Sequence, residues 1–281
     1  MAPTHHATAM RIRTIHVDGQ HQRVAIQGAR SVARPLLLLN GLGANLELLQ
    51  PFVDALDGIE TIRVDLPGAG GSPTPPLPIR FSGFARLVAG LLDRLDYEEA
   101  DILGVSWGGA LAQQIAYQHP DRCRRLILVS TGTGAIMVPG RLSALLALAS
   151  PRRYRDPSYM ASVAGRLYGG RLRSDRALAT RLVRDVRAGD THGYYRQLLA
   201  GFGWTSIHWL RSLRQPTLIL TGADDPIVPS VNGRIMAWLI PKSRLHIFDD
   251  GHLGLVTSAE ELAPLVRAFL NEEEPRTKRQ R

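Results

Sequence analysis

At 281 residues, with 44% hydrophobic and 21% charged content, the chain is long enough for one large domain around a single sizeable core, with or without an insert. No apolar run approaches the roughly 18 residues a spanning helix needs, so a transmembrane segment is not expected. The single cysteine, Cys123, excludes an internal disulfide, fits a reducing compartment and reads as a buried structural thiol.

The formal net charge of +9 is confined to one region. Residues 140–214 hold 14 arginines against 4 acidic residues, and the rest of the chain holds 20 basic against 21 acidic. This excess reads either as a face turned to an anionic surface or as a solvated, Arg-rich helical insert. With only Lys242 and Lys278 as lysines, arginine also serves generally as the basic residue. No basic–aromatic interleaving or known basic module points to nucleic acid.

Met1 to Met10 lack an apolar secretory core, which predicts a cytoplasmic protein. Arg11–Val17 alternates loosely, Asp18-Gly19 is a two-residue turn signal, and Arg23–Gln27 returns as the second arm of a hairpin. Pro35–Leu39 and Thr61–Asp65 are strand-like runs, and Leu36–Leu39 is continuously apolar, as expected of a strand buried on both faces. Gly68-Ala69-Gly70-Gly71 then follows, but Pro73, Pro75 and Pro76 forbid a helix there, so neither a phosphate loop nor a dinucleotide fingerprint is present.

Helical spacing covers Phe84–Leu95, a strand Ala100–Val105, a helix Trp107–Gln118 and a strand Arg125–Ser130. The alternation stops near Thr131 and resumes near Pro216. Between lie helical, Arg-rich pieces: Leu142–Ala149, Tyr159–Leu167, Ala177–Arg187 and Tyr194–Phe202. Strands Pro216–Thr221 and Ser243–Phe248 and a helix Ala259–Leu270 close the pattern. The fold class is therefore α/β, a mainly parallel sheet covered by helices on both faces. The expected division is a core over 1–135, a helical cap over 136–210, a second core part over 211–271 and a charged, frayed tail over 272–281.

In such sheets the chemistry gathers beyond the carboxyl ends of the strands. Gly104-Val105-Ser106-Trp107-Gly108-Gly109 lies there, between an apolar strand and a helix, as a nucleophile elbow requires. The turn is tight enough that the residues two before and two after Ser106 must be small, and both are glycine. A serine hydroxyl needs a base. His252, in the loop after the last strand, is the histidine in the right place. His5, His6, His16 and His21 lie near the hairpin, His119 ends the elbow helix, His192 and His208 fall in the cap, and His246 sits within a strand.

The acid that orients the base should follow strand Pro216–Thr221. Asp225, three after Gly222, is favoured over its neighbour Asp224, giving the chain order Ser, Asp, His. Asp65 is too early and reads as a loop-shaping residue, and Asp249 and Asp250 stand too near His252. An oxyanion requires preorganised N–H donors. These are expected from Trp107 and from Leu42 in the loop Asn40–Asn45. Met137, Trp204 and Trp209 are candidates for an apolar acyl pocket, although such residues also serve to pack a cap. No metal-ligand spacing and no cofactor motif is present.

Beyond the elbow, the chain resembles the intracellular depolymerases of medium-chain-length poly(3-hydroxyalkanoate) within the α/β-hydrolases. The resemblance runs through Asn40–Leu49, Val64–Ser72, Gly104–Gln114, Met137–Gly140 (MVPG), Ser150–Tyr154 (SPRRY), Gly201–Leu210 (GFGWTSIHWL) and Asp249–Leu253. It implies acyl-enzyme hydrolysis of a polyester at the surface of storage granules, alongside granule-coat proteins, with nucleophile, acid and base on Ser106, Asp225 and His252. The chain departs from that family at Gly254, where an apolar or aromatic residue is usual, which suggests a wider site beside the base. The alternatives are a soluble carboxylesterase or lipase on small acyl esters, and a non-catalytic granule protein, against which the three candidate catalytic residues argue. A dehalogenase or epoxide hydrolase of this fold would need Asp at position 106, and a polyester synthase Cys.

Overall fold

A computed structural model describes residues 10–28, 34–184 and 189–273. His5, His6 and the tail from 274 onward lie outside the described residues, as do residues 185–188 of the helix expected over Ala177–Arg187.

Eight strands form one sheet among the described residues: β1 (Arg11–Val17), β2 (Gln20–Gln27), β3 (Leu36–Leu39), β4 (Thr61–Asp65), β5 (Ala100–Val105), β6 (Cys123–Val129), β7 (Thr217–Gly222) and β8 (Ser243–Phe248). Their order is β1-β2-β4-β3-β5-β6-β7-β8. The hairpin β1–β2 adds antiparallel to β4, and β4 through β8 pair in parallel. The turn between the hairpin strands has positive φ at both central residues, 46° at Asp18 and 77° at Gly19. That is the mirror-image turn whose twist matches the two strands.

The four leucines of β3 show why the sheet is covered twice. Leu36 and Leu38 join one apolar cluster and Leu37 and Leu39 the other, and all four are buried. Alternate side chains of a strand point to opposite faces, so an unbroken apolar run needs a layer on each side. Helices Phe81–Arg94, Trp107–Gln118 and Val231–Leu239 cover one face. Helices Gln50–Ala55 and Ala259–Asn271 cover the other. Each fully buried leucine contributes about 1.5–3 kcal/mol.

The first of these helices begins at Phe81, a turn before the expected start at Phe84. Phe81 is buried against Trp107 and Trp204, ring centroids 4.7 and 4.9 Å apart, and this packing overrides the weak helix propensity of Ser82 and Gly83. Residues between β6 and β7, which are neighbours in the sheet, form helices Leu142–Leu148, Arg152–Arg155, Pro157–Tyr168, Arg171–Ser174, Arg176–Arg184 and Thr191–Ala200. Met160, Val163, Ala164 and Leu167 of this segment are continuous with one core cluster. The segment is thus packed onto the sheet domain beyond the carboxyl ends of its strands. Cys123 is buried at the start of β6, and burial pushes its thiol well above the usual range.

Candidate active site

Ser106 stands between β5 and the helix Trp107–Gln118 at φ 54°, ψ −116°, a backbone conformation that L-residues avoid. It is held there from both sides. Its N–H donates to the Val129 carbonyl at 2.9 Å, and its own carbonyl accepts the Gly109 N–H at 2.9 Å and the Thr131 hydroxyl at 2.7 Å. A Cβ on Gly104 would lie 2.3 Å from the Gly108 oxygen, and one on Gly108 would lie 2.2 Å from the Leu39 oxygen. The two glycines of the motif are therefore steric requirements of the turn.

Asp225 and His252 meet across the ends of β7 and β8. Asp225 Oδ2 lies 2.8 Å from His252 Nδ1, and both residues are buried. Oδ1 of the same carboxylate accepts the N–H groups of Ile227 and Val228, each at 2.9 Å. Asp224, the neighbouring carboxylate, turns outward to Arg173, at 2.8 Å, and to the Gly170 N–H. Only Asp225 is therefore placed to fix the imidazole. With Nδ1 donating to Asp225, the other ring nitrogen is left as an acceptor.

The His252 loop is built by Asp250. Its Oδ1 accepts the Gly251 and Arg171 N–H groups at 2.7 and 2.8 Å, and its Oδ2 accepts the hydroxyls of Thr257 and Ser258, both at 2.6 Å. Burial raises this carboxyl, but the hydrogen bonds from Ser258, Thr257, Arg171 and Gly251 outweigh it and leave it below the usual carboxylate range. Asp65 shapes its own region, accepting from the Leu46 N–H, the Gly71 N–H and Arg23.

The loop after β3 passes beside Ser106. A Cβ on Gly41 would touch the Ser106 Cβ at 3.6 Å. Asn40 closes the loop on itself, accepting from the Gly41 N–H and donating to the Asn45 carbonyl. The segment between β6 and β7 grips it from above. The Leu42 carbonyl accepts from the Tyr154 hydroxyl at 2.8 Å and from Arg153 Nη2 at 3.2 Å, and the Gly43 N–H donates to Gln197 Oε1 at 2.9 Å. Gln197 also accepts the Trp107 indole N–H on its carbonyl at 2.9 Å.

Ser106, Trp107, Leu42 and His252 line one cavity of about 200 Å³, closed further by Leu48, Leu148, Arg153, Tyr154, Tyr168 and Leu253. A larger hollow of about 610 Å³ lies by the amino ends of β6–β8, lined by Cys123, Arg124 and Lys242, remote from these residues. The chemistry the smaller cavity supports is attack by a hydroxyl whose proton an oriented imidazole can accept. Among the described residues no group of His, Cys, Asp and Glu is arranged to hold a metal ion.

Three expected pocket residues lie elsewhere. Trp204 packs on Phe81 and Trp209, and its indole N–H donates to Gln114 Oε1 at 2.8 Å. Trp209 stacks on Tyr117 at 4.4 Å, with 16° between the rings. Ser206, between them, donates its hydroxyl to Gln113. The stretch Gly201–Leu210 is thus a packing motif that fastens the end of the helical segment to the elbow helix. Met137 sits over Gly132, beside Asn232, outside the cavity. Gly254 does not widen the site either, because a Cβ there would lie 2.1 Å from the Phe248 ring, which fills that space.

The residues the sequence reading missed belong to the helical segment. Tyr168 stacks on His252, ring centroids 6.3 Å apart, and its carbonyl accepts the His252 N–H at 2.7 Å. Gly169 and Gly170 pass so close to the acid and base loops that a Cβ would meet the Asp224 carbonyl at 1.9 Å and Asp250 Oδ1 at 2.0 Å. A paired glycine after a helical pattern was the available signal of such an approach. Within the stretch Ser150–Tyr154, nothing in the sequence distinguished Arg153, which turns inward, from Arg152.

The α/β-hydrolase fold family matches residues 34–259. A poly(3-hydroxyalkanoate) depolymerase of Ectopseudomonas oleovorans is 52% identical over 265 residues, 94% of each chain. A 2-hydroxy-6-oxononadienedioate/2-hydroxy-6-oxononatrienedioate hydrolase of Burkholderia vietnamiensis is 30% identical, over 95% of this chain and 97% of its own. Among solved structures, the enol-lactonase of Burkholderia xenovorans superposes with a TM-score of 0.80 at 25% identity, over 92% of this chain and all of that one. The chain belongs to the α/β-hydrolase family and, within it, to the group represented by the poly(3-hydroxyalkanoate) depolymerase.

Proposed function

We propose that the protein is a serine ester hydrolase that depolymerises medium-chain-length poly(3-hydroxyalkanoate) through an acyl-enzyme. The observation that carries this is the meeting of Ser106 and His252 in one largely apolar cavity with Asp225 hydrogen-bonded behind the imidazole. A poly(3-hydroxyalkanoate) substrate is supported by the depolymerase that is 52% identical over 94% of the chain.

Ser106 Oγ attacks the ester carbonyl carbon while His252 Nε2 takes its proton. Asp225 holds the Nδ1–H tautomer and stabilises the imidazolium. The N–H groups of Leu42 and Trp107 receive the oxyanion. Collapse breaks the ester C–O bond, and His252 returns the proton to the leaving alkoxide, giving a hydroxy group. Water, deprotonated by His252, then attacks the acyl-enzyme, releases the carboxylic acid and restores Ser106. Leu48, Leu148 and Leu253 offer the apolar contact that alkyl side chains of the polymer require.

In this reading residues 1–135 and 211–271 form the hydrolase core, 136–210 its cap and 272–281 a charged tail. The protein works in the cytoplasm at the surface of polyester granules, beside granule-coat proteins. The test compares wild type with Ser106→Ala on soluble p-nitrophenyl octanoate and on amorphous medium-chain polyester granules. Serine-dependent turnover of both, with clearing of granule turbidity, is expected. A second reading, an esterase of small acyl esters, is favoured by the modest cavity of about 200 Å³. Turnover of the soluble ester alone would establish it instead.

A further inference from the structure

Arg153 is buried, 3% exposed, in the wall of the cavity that holds Ser106 and His252. None of its partners among the described residues is a carboxylate. Nη1 donates to the Tyr194 hydroxyl at 2.6 Å and, at 3.5 Å, to the Ser150 carbonyl. Nη2 donates to the Leu42 carbonyl at 3.2 Å and to the Tyr154 hydroxyl at 3.4 Å. The guanidinium lies against the rings of Tyr154 and Tyr194, 4.4 and 5.1 Å from their centroids. Nε is buried with no acceptor. Both phenols spend their own protons on carbonyls, Tyr154 on Leu42 and Tyr194 on Leu148, so they turn lone pairs to the cation.

A buried cation met only by neutral dipoles is costly to maintain. An anion bound beside it would recover that cost, most directly a carboxylate taking a charge-assisted pair of hydrogen bonds. We propose that Arg153 is the recognition site for the carboxylate end of the polyester chain, so that the enzyme trims the polymer from its carboxyl terminus. This rests on the depolymerase reading above.

The position fits the chemistry. Arg153 grips the carbonyl of Leu42, the residue whose N–H is assigned to the oxyanion. In a poly(3-hydroxyalkanoate) the terminal carboxyl carbon is separated from the last ester carbonyl carbon by one oxygen and two carbons, roughly 5 Å by ordinary bond lengths. Arg153 and Ser106 line the same cavity of about 200 Å³, so a carboxylate on Arg153 leaves the last ester bond inside the cavity that holds Ser106. It takes over the long Nη2–Tyr154 contact and gives Nε the acceptor it lacks. Ser106 attacks the penultimate unit's carbonyl, and the terminal unit leaves as the free 3-hydroxy acid after gaining the proton from His252. Water then releases the shortened chain with a new carboxylate end, ready to bind again.

The test uses a trimer of 3-hydroxyoctanoate with a free carboxyl end, the same trimer capped as its methyl ester, and the wild-type enzyme. The free acid is expected to show a kcat/KM at least 10-fold above the capped trimer, with monomer appearing first. Arg153→Gln brings the ratio to within about 2-fold. Equal kcat/KM for the two trimers in wild type would overturn the proposal, whatever the stability of the variant. Loss of serine-dependent turnover of both trimers is a different result, the failure of the depolymerase reading itself. Free 3-hydroxyoctanoate and its methyl ester, tested as inhibitors of p-nitrophenyl octanoate hydrolysis, separate the remaining source of carboxylate. Inhibition by the acid without discrimination between trimers would assign Arg153 to released product and overturn the chain-end assignment.

Discussion

Oδ2 of Asp225 stands 2.8 Å from Nδ1 of His252, while Oδ1 of the same carboxylate is fixed by two backbone N–H groups from Ile227 and Val228. The carboxylate cannot rotate without losing both, so the imidazole is held in one tautomer. Asp225→Asn presents an amide that can donate to Nδ1 and so favours the wrong tautomer. Ester hydrolysis is expected to fall by about 10⁴ in kcat with little change in KM. Asp224→Asn, at the exposed pair with Arg173, is expected to change kcat by less than about 3-fold. Steady-state kinetics on p-nitrophenyl octanoate, with circular dichroism to verify folding, checks both. Comparable losses for the two variants would refute the assignment of Asp225.

The Asp250 carboxylate makes an acid-dependent contribution to stability. Its carboxyl is held below the usual range in the folded state, because four hydrogen bonds outweigh burial. A depressed carboxyl stabilises the fold above its unfolded pKa, 3.8, and the contribution is lost as pH falls below that through the folded value. Asp250→Asn is therefore expected to cost about 2–3 kcal/mol at pH 7. The gap in Tm between wild type and variant should hold down to about pH 4, and narrow below it. A gap independent of pH would mean that the carboxylate's charge has no part in ordering the His252 loop.

The strands, the elbow turn at Ser106 and the placing of Asp225 and His252 after the last two strands were legible because each rests on local rules. Buried strands need unbroken apolar runs, a primed hairpin turn accepts Asp18-Gly19, and the elbow needs glycine on each side of the serine. Helix Val231–Leu239 was not legible. Asn232 and Gly233 break its apolar pattern, yet both are buried, and Asn232 pairs with the backbone of Val138 across the fold. The helical segment was legible as helices but not as a lining. Which arginine in SPRRY turns inward depends on where the short helix Arg152–Arg155 docks over Leu42, and no periodicity within four residues encodes that. The tryptophans failed for the opposite reason. Aromatic composition suits an acyl pocket and a packing seam equally, and only the Phe81, Gln114 and Tyr117 partners distinguish them.

Gly254 and Phe248 share one space. A Cβ on Gly254 would lie 2.1 Å from the Phe248 ring, which is 2% exposed at the end of β8. Gly254→Ala is expected to destabilise the protein by about 1–3 kcal/mol through overpacking. Phe248→Leu, which removes the offending ring edge, should recover part of that loss when combined with it. A double-mutant cycle in urea measures the coupling, expected at about 0.5–3 kcal/mol. Additive effects would show that the two residues do not compete for this volume.

Trp204 and Trp209 join the end of the helical segment to the helix that carries Ser106 at its start. Trp204 does so through Gln114, while also packing on Phe81 of the neighbouring helix, and Trp209 through its stack on Tyr117. Neither side chain lines the cavity of Ser106 and His252. Their loss should therefore be read in stability rather than in substrate binding. Trp209→Ala removes a half-buried stacked ring and is expected to cost about 1–3 kcal/mol, with KM for p-nitrophenyl octanoate within about 2-fold of wild type. Trp204→Phe keeps the ring stack but leaves Gln114 without its indole donor, and the lost hydrogen bond is expected to cost about 1 kcal/mol. Thermal unfolding and steady-state kinetics on the same preparations decide the matter. A KM raised 10-fold or more at unchanged Tm would put these rings back in the substrate path, and would require the segment to open far enough to bring Gly201–Leu210 to the cavity.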